Sequence, residues 1–316
     1  MILTVTLNPA YDMTYRVEQL ALGRAQRVLA VEQRLGGKGV NVTRILGQLG
    51  IASRATGFAD HMFAAAAEME FAADFVPALP WVRRTVVISE SDDGTATGLW
   101  EPGAHLTEPH AVHRLLDRVR NLLPELTGVV VAGSLPGGVD HTLPGELVRL
   151  ALEAGVPAVC DVDGPALRFA ATIPGVVLTP NQDELPQLTG TVLDSPEAMV
   201  DAVRPLLAAG VRAVLATRGA DGMIAATGSG AWSAALPSRL AGNPTGAGDA
   251  AVAAVIKGLA AAPDPEWTAL LADAVATSAA AVVIPVAGAI DLRLRQRLAT
   301  DVVVTALAAP CEELPA

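Results

Sequence analysis

"GVVVAGSLPGGV", residues 128–139, carries an unbroken apolar run straight into a turn of small, polar and glycine residues. A short run without polar alternation fits a strand buried on both faces, as in a parallel sheet. Four more stretches have the same form: "ILTVTL" (2–7), "PAVCDV" (157–162), "GVVLTP" (175–180) and "RAVLAT" (212–217). Helix-period segments lie between them, among them "EPHAVHRLLDRVRNLL" (108–123) and "SPEAMVDAVRPLLAAG" (195–210). The second opens on a serine cap with an early proline and stops at Gly210. Strands alternating with helices predict a layered α/β fold with right-handed crossovers and a mostly parallel central sheet. In such sheets ligands sit beyond the carboxyl ends of the strands, so the turn after Ala132 becomes a candidate binding segment.

Two segments break the rhythm. Residues 11–34, "YDMTYRVEQLALGRAQRVLAVEQR", read as extended strands with no helix between them, and residues 83–100, "RRTVVISESDDGTATGLW", as a hairpin around Asp93-Gly94. Such strands are expected to form a small sheet beside the main one, a lid inserted into a single domain spanning 1–316. The tail from about Ala308 is expected to be loose.

With 316 residues and 51% apolar composition, the chain can bury a full core. Its net charge of −11 and lack of a dense Lys/Arg stripe argue against a nucleic-acid partner. No run of about 18 apolar residues suggests a membrane span, and the N-terminus reads as a first strand, not a signal peptide. Cys160 and Cys311 form no CxxC, which fits a reduced, cytoplasmic setting. Only two lysines occur, Lys38 and Lys257, against 20 arginines.

Chemistry concentrates in a few turns. "NPTGAGDAAVAAVIKGLAAA" (243–262) puts Gly246, Ala247 and Gly248 before an apolar helix, with Asp249 in its first turn. Unpaired amides there could hold an oxyanion while Asp249 takes a proton from an attacking hydroxyl. The same residues would serve equally as a capped buried helix. In "LGGKGVNVTRILGQLG" (35–50), Lys38 and Asn41 stand at the mouth of a helix after Gly37, where a phosphate could meet amides and an ammonium. This is neither a Walker A loop nor a dinucleotide fingerprint. Ser134 follows one strand, and "TPNQDEL" (179–185) follows another. Asn181 and Glu184, one helical turn apart, could share a hydrated Mg²⁺ or form a helix cap and its box partner. "TRGADG" (217–222) is a further glycine turn at a strand end.

The order of these motifs resembles the PfkB branch of the ribokinase-like kinases, within it the 1-phosphofructokinase and tagatose-6-phosphate kinase group. "TLNPAYD" resembles the family's opening strand with a substrate aspartate, here Asp12, and "GGKGVNVTR" its Gly-Gly motif. "GSLPGGV" resembles its GSLPPGV turn, "PNQDE" its NxxE motif, "TRGADG" a nucleotide-side loop and "NPTGAGD" the anion hole with the catalytic base. The resemblance implies a ribokinase-like three-layer fold, ATP as co-substrate, Mg²⁺, and a β lid that often joins two subunits as a homodimer. It implies Asp249 as base behind Gly246, Ala247 and Gly248, and Asp12, Gly37, Lys38, Asn41, Arg84 and Ser134 on the sugar phosphate. Asn181, Thr217, Gly219 and Gly222 would serve the nucleotide, and Glu184 the metal.

The implied reaction phosphorylates a ketohexose phosphate: fructose 1-phosphate or tagatose 6-phosphate first, fructose 6-phosphate third. Lys38 speaks against an unphosphorylated sugar or nucleoside as substrate, since a neutral ligand gives it nothing to pair with. Thr179 stands where these kinases often have lysine, which keeps open a catalytically weak sugar-phosphate sensor; Arg218 is the expected compensation. The stretch after Gly57 is shorter and poorer in glycine than the family's. Arg83 competes with Arg84 for the lid arginine, and Arg24 and Arg27 are weaker candidates.

Overall fold

The apolar runs become strands of one large sheet in the computed structural model, which describes residues 1–92 and 95–308. In chain order the strands are β1 (Ile2–Thr6), β2 (Ala10–Val17), β3 (Ala30–Gly36), β4 (Ser53–Ala59), β5 (Ala73–Pro77), β6 (Arg83–Glu90) and β7 (Ala96–Trp100). There follow β8 (Gly128–Ala132), β9 (Ala158–Asp161), β10 (Val177–Leu178), β11 (Ala213–Thr217), β12 (Met223–Thr227), β13 (Gly230–Ala235) and β14 (Val303–Ala308). The large sheet runs β14-β13-β12-β11-β10-β9-β8-β1-β4-β5. It is parallel from β11 to β5, and β12 to β14 extend it antiparallel. The turn expected at Asp93-Gly94 lies outside the described residues, as does the expected loose tail beyond Ala308; Ala308 itself ends β14.

Each face of this sheet is covered. Val42, Ile45 and Leu46 join the helices Ala247–Ala261 and Trp267–Val282 in one apolar cluster, while Phe63, Leu115, Leu147 and Val200 anchor the other. Burial on both faces is why β8 is apolar throughout and β1 departs from that only at the buried Thr4 and Thr6. The helix Ala247–Ala261 is buried from Asp249 through Ile256, so a carboxylate is carried into the interior by an otherwise apolar element. The result is a three-layer α/β fold of the ribokinase-like kind, mostly parallel at its centre.

The remaining four strands form a separate sheet in the order β3-β2-β6-β7. Its register decides which side chains meet the rest of the protein. Asp12 pairs with Thr85, and Thr85 with Trp100, so these three share one face. Tyr11 pairs with Arg84, and Val86 with Leu99, on the other. Tyr11 packs edge-on against Phe63 with ring centroids 5.5 Å apart, which pins that end of the small sheet to the large domain.

Candidate active site

The strand order of the large sheet reverses at β1, which has β4 on one side and β8 on the other. At such a switch point connections leave in opposite directions and open a crevice beyond the strand ends. A cavity of about 810 Å³ lies there, lined by Asn8 after β1, Ser134 after β8, Asp161 closing β9, Asn181 after β10 and Thr217 closing β11. The small sheet adds Asp12, Arg83, Thr85 and Trp100 to its wall.

At one wall the helix Ala247–Ala261 begins. Gly246 has φ 86°, and a Cβ there would come within 3.0 Å of the Ala287 backbone, so glycine is required on both counts. The Ala247 amide turns back to the Pro244 carbonyl at 3.1 Å, and the first helical bond runs from Ala250 to Gly246. The Gly248 and Asp249 amides between them have no backbone acceptor. The expected set of three donors is thereby corrected at one point: the Ala247 amide is already spent in the turn.

Asp249 is buried, and its Oδ2 accepts from Asn41 Nδ2 at 2.9 Å. Burial first, and the Asp161 carboxylate second, push the Asp249 carboxyl up to about 7. Lys38 and the Asn41 hydrogen bond pull it the other way. A carboxyl so placed exchanges a proton near neutrality, as a general base requires.

Lys38, in the first turn of the helix Lys38–Gln48, sends its ammonium to Asp161 Oδ1 at 3.2 Å. Lys38 lines the cavity with its ammonium among carboxylates: Asp161, Glu184 and Asp249 together hold its pKa above the ordinary lysine value despite burial. Asp161 was not singled out in the sequence, although an acid closing a buried run at the carboxyl edge was a readable signal. Asn41 is held at Asp249, and its buried Oδ1 has no protein partner.

Asp12 is pushed up by burial, an effect opposed by the Thr85 hydroxyl, which donates to its Oδ1, by Arg44, Asn41 and Arg83. A Cβ on Gly36 would sit 2.2 Å from the Asp12 carboxyl, so a glycine opposite makes room for it. Ser134 Oγ accepts from Asn8 Nδ2 at 3.0 Å; buried Asn8 is another residue the sequence reading missed.

For the lid arginine the register favours Arg83 over the expected Arg84. Strand alternation puts Arg83 on the face of Asp12 and Thr85, and Arg83 lines the cavity; Arg84 falls on the opposite face and is exposed. Arg24 and Arg27 are exposed in the segment between β2 and β3 and do not line the cavity.

At the other end, Asn181 bridges to Thr217, and the turn Gly219–Asp221 follows β11. Gly222 has φ 83°, and a Cβ there would fall 2.0 Å from the Ala234 carbonyl oxygen. Asn181 and Glu184 form a helix cap and its box partner: Asn181 Oδ1 accepts from the Asp183 and Glu184 amides, both at 2.8 Å. Glu184 Oε2 accepts from the Asn181 amide at 2.9 Å. Thr179 lines the cavity with its hydroxyl buried and without a protein partner. Arg218, expected to compensate for it, does not line the cavity; Arg239 does, and pairs with Asp221 at 2.6 Å. Leu236, Val252, Val275 and Val282 give this end an apolar lining that no motif announced.

Buried carboxylates, the Lys38 ammonium and free helix amides lining one cavity suit transfer of an anionic group to a hydroxyl. Comparison with known proteins agrees with that chemistry. Residues 5–292 match the pfkB family carbohydrate kinases. The fold is similar to a protein described as a possible 1-phosphofructokinase from Thermotoga maritima, with TM-score 0.88 and 25% identity over 97% of this chain and 99% of that one. It is also similar to phosphofructokinase-2 of Escherichia coli, with TM-score 0.83 and 24% identity over 95% and 98%. A more distant likeness links it to a ribokinase of Arabidopsis thaliana, with TM-score 0.69 and 21% identity over 94% and 98%. With the glycine turn, the buried aspartate and the match across nearly its whole length, the chain belongs to the pfkB family of carbohydrate kinases.

Proposed function

We propose that the protein is an ATP-dependent phosphosugar kinase that phosphorylates a ketohexose phosphate. Fructose 1-phosphate and tagatose 6-phosphate are the leading substrates, with fructose 6-phosphate third. One observation carries the reading: Asp249 sits buried at a helix mouth with free amides, its proton affinity raised to about 7, facing the Lys38–Asp161 pair. A substrate hydroxyl directed at Asp249 would attack the γ-phosphorus in line and give its proton to the carboxylate as the bond to ADP breaks. The amides of Gly246 and Gly248 would steady the phosphoryl oxygens. Asp12 and Asn41 would hold sugar hydroxyls, and Lys38, Arg83 and Ser134 the anionic end. The 25% identity to the Thermotoga maritima protein supports a fructose phosphate, and the cations in the cavity support a substrate already charged.

The donor set fits Mg²⁺ delivered with ATP. Among the described residues no group of three or more His, Cys, Asp or Glu forms a protein cage. An ion that keeps most of its waters and is held through phosphates needs none. Glu184, with one carboxylate oxygen committed to Asn181 and the other left over, would hold it from the strand-end side. Such an ion supplies charge neutralisation at the phosphates.

ADP release measured over a panel of hexose phosphates, free hexoses and nucleosides tests the reading. Turnover confined to the phosphorylated ketohexoses is expected. Turnover of free sugars alone would replace it with the unphosphorylated-substrate reading, and binding without ADP release with the sensor.

Arg83→Ala should raise KM for the phosphosugar about tenfold or more, the scale of a lost charged hydrogen bond, and Arg84→Ala should not. The reverse order would return the role to Arg84.

The small sheet is proposed as a moving lid and dimer contact. Its face away from the cavity exposes Val31 and Leu99, and an unpaired sheet of this size gains by covering such a face. Hydrogen exchange in 11–34 and 83–100 should slow when phosphosugar binds, and sedimentation should give a dimer. Protection confined to the helix Ala247–Ala261 would sink the lid, and a monomer at micromolar concentration the dimer.

A further inference from the structure

A tryptophan on the small sheet stands where nothing in the chemistry above requires one. Trp100 closes β7, lines the cavity, and is 65% exposed. Its register places it opposite Thr85, which lies opposite Asp12, so Asp12, Thr85 and Trp100 form one row across three strands on the cavity face. The Thr85 hydroxyl is held by Asp12, which fixes the polar end of that row. The other end is an indole. Neighbouring strands are about 4.8 Å apart, so roughly 10 Å separates the Asp12 backbone from that of Trp100. That span admits a hexose ring between them.

Gly98 explains how the indole is carried. A Cβ on Gly98 would lie 2.4 Å from Trp100 Cη2 and 2.7 Å from Cζ2, so the ring folds back into space that only glycine leaves. Gly98 does not have a positive φ, and the backbone therefore imposes no need for glycine there. Space for the ring is the remaining reason. The neighbouring Leu99 projects to the opposite face, so the two exposed apolar residues at this edge serve different sides of the sheet.

We infer that Trp100 is a substrate-capping residue whose indole packs against the C–H face of the bound sugar while Asp12 takes hydroxyls at the other end of the row. The inference rests on the phosphosugar reading above. Sugars present hydroxyls at their edges and apolar C–H surface on their faces, and an indole offers a flat apolar partner to the latter. Concave ligand sites combine few fixed polar groups with such apolar walls. An indole this exposed gains most from a ligand that covers it.

Intrinsic fluorescence and steady-state kinetics test the assignment with fructose 1-phosphate, tagatose 6-phosphate and fructose 6-phosphate as probes. The substrate that turns over should change the emission of the wild type, and Trp100→Phe should lose that change. Trp100→Ala should raise KM for that substrate about tenfold and leave KM for ATP within about twofold. Gly98→Val, which occupies the space of the indole without touching the cavity chemistry, should raise the same KM. An unchanged sugar KM in both Trp100→Ala and Gly98→Val, in an enzyme that turns over a phosphosugar, overturns the capping role alone. Loss of sedimentation as a dimer with no KM change makes Trp100 an interface residue and overturns it too. A wild type that turns over none of the three overturns the phosphosugar reading, and the capping role falls with it.

Discussion

Asp249→Asn is expected to lower turnover by roughly 10²-fold or more, the scale of losing a general base, while leaving the fold and most ATP binding intact. The amide keeps the shape of the carboxylate and can still accept from Asn41, so the loss isolates the proton-accepting function. The pH dependence follows from the same burial. A base must be deprotonated to act, and the Asp249 carboxyl titrates at about 7, so wild-type kcat/KM should fall about tenfold per pH unit below that value. Stability moves in the opposite sense. The folded pKa of Asp249 lies above its ordinary value of 3.8, so the folded state binds the proton more tightly than the unfolded chain. The stabilisation by that proton is complete at low pH and is lost as pH rises from near 4 through 7, costing as much as about 4 kcal/mol above neutrality. Asp249→Asn should therefore raise Tm at pH 8 and leave it unchanged near pH 4. An asparagine variant that turns over like the wild type would remove Asp249 from the mechanism.

The strands that were legible in the sequence are those buried on both faces. Gly128–Ala132 and Ala213–Thr217 are continuous apolar or small-residue runs because helices cover both sides. Ser53–Ala59 escaped notice because it carries Ser53, Arg54 and Thr56 among its apolar residues. Met223–Thr227 and Gly230–Ala235 escaped because small residues replace the branched ones that mark a strand. At the site, the glycine turn and Asp249 could be read because their chemistry is local in sequence. Arg83 could not be told from Arg84 by any spacing, since the choice depends on Asp12 meeting Thr85 across the small sheet. The bond from Asn41 to Asp249 joins residues 208 positions apart and left no trace in either motif. The apolar end of the cavity is built from residues that pack like core, and their function becomes visible only once the space between them is known.

Lys38→Ala is expected to lower kcat/KM for the phosphosugar by roughly 10- to 150-fold, the range of a lost charged hydrogen bond, with ATP affinity barely changed. Its geometry adds a second readout. The Lys38 ammonium lies close enough to Asp249 to lower that carboxyl's pKa, whereas Asp161 raises it. Removing the ammonium leaves Asp161 and Asp249 facing each other uncompensated, so the acid limb of the pH profile should move above about 7. Buried Asp161 also loses its partner, which lowers stability and could hide the kinetic effect behind poor folding. The double variant Lys38→Ala/Asp161→Asn separates the two: the uncompensated charge is gone, stability should recover, and the acid limb should return toward lower pH. Sugar affinity should stay weak, because the cation is still missing. If ATP and phosphosugar weaken equally, Lys38 serves the nucleotide; if the acid limb stays where it is in both variants, Asp249 does not feel the Lys38–Asp161 pair and the proton is taken elsewhere.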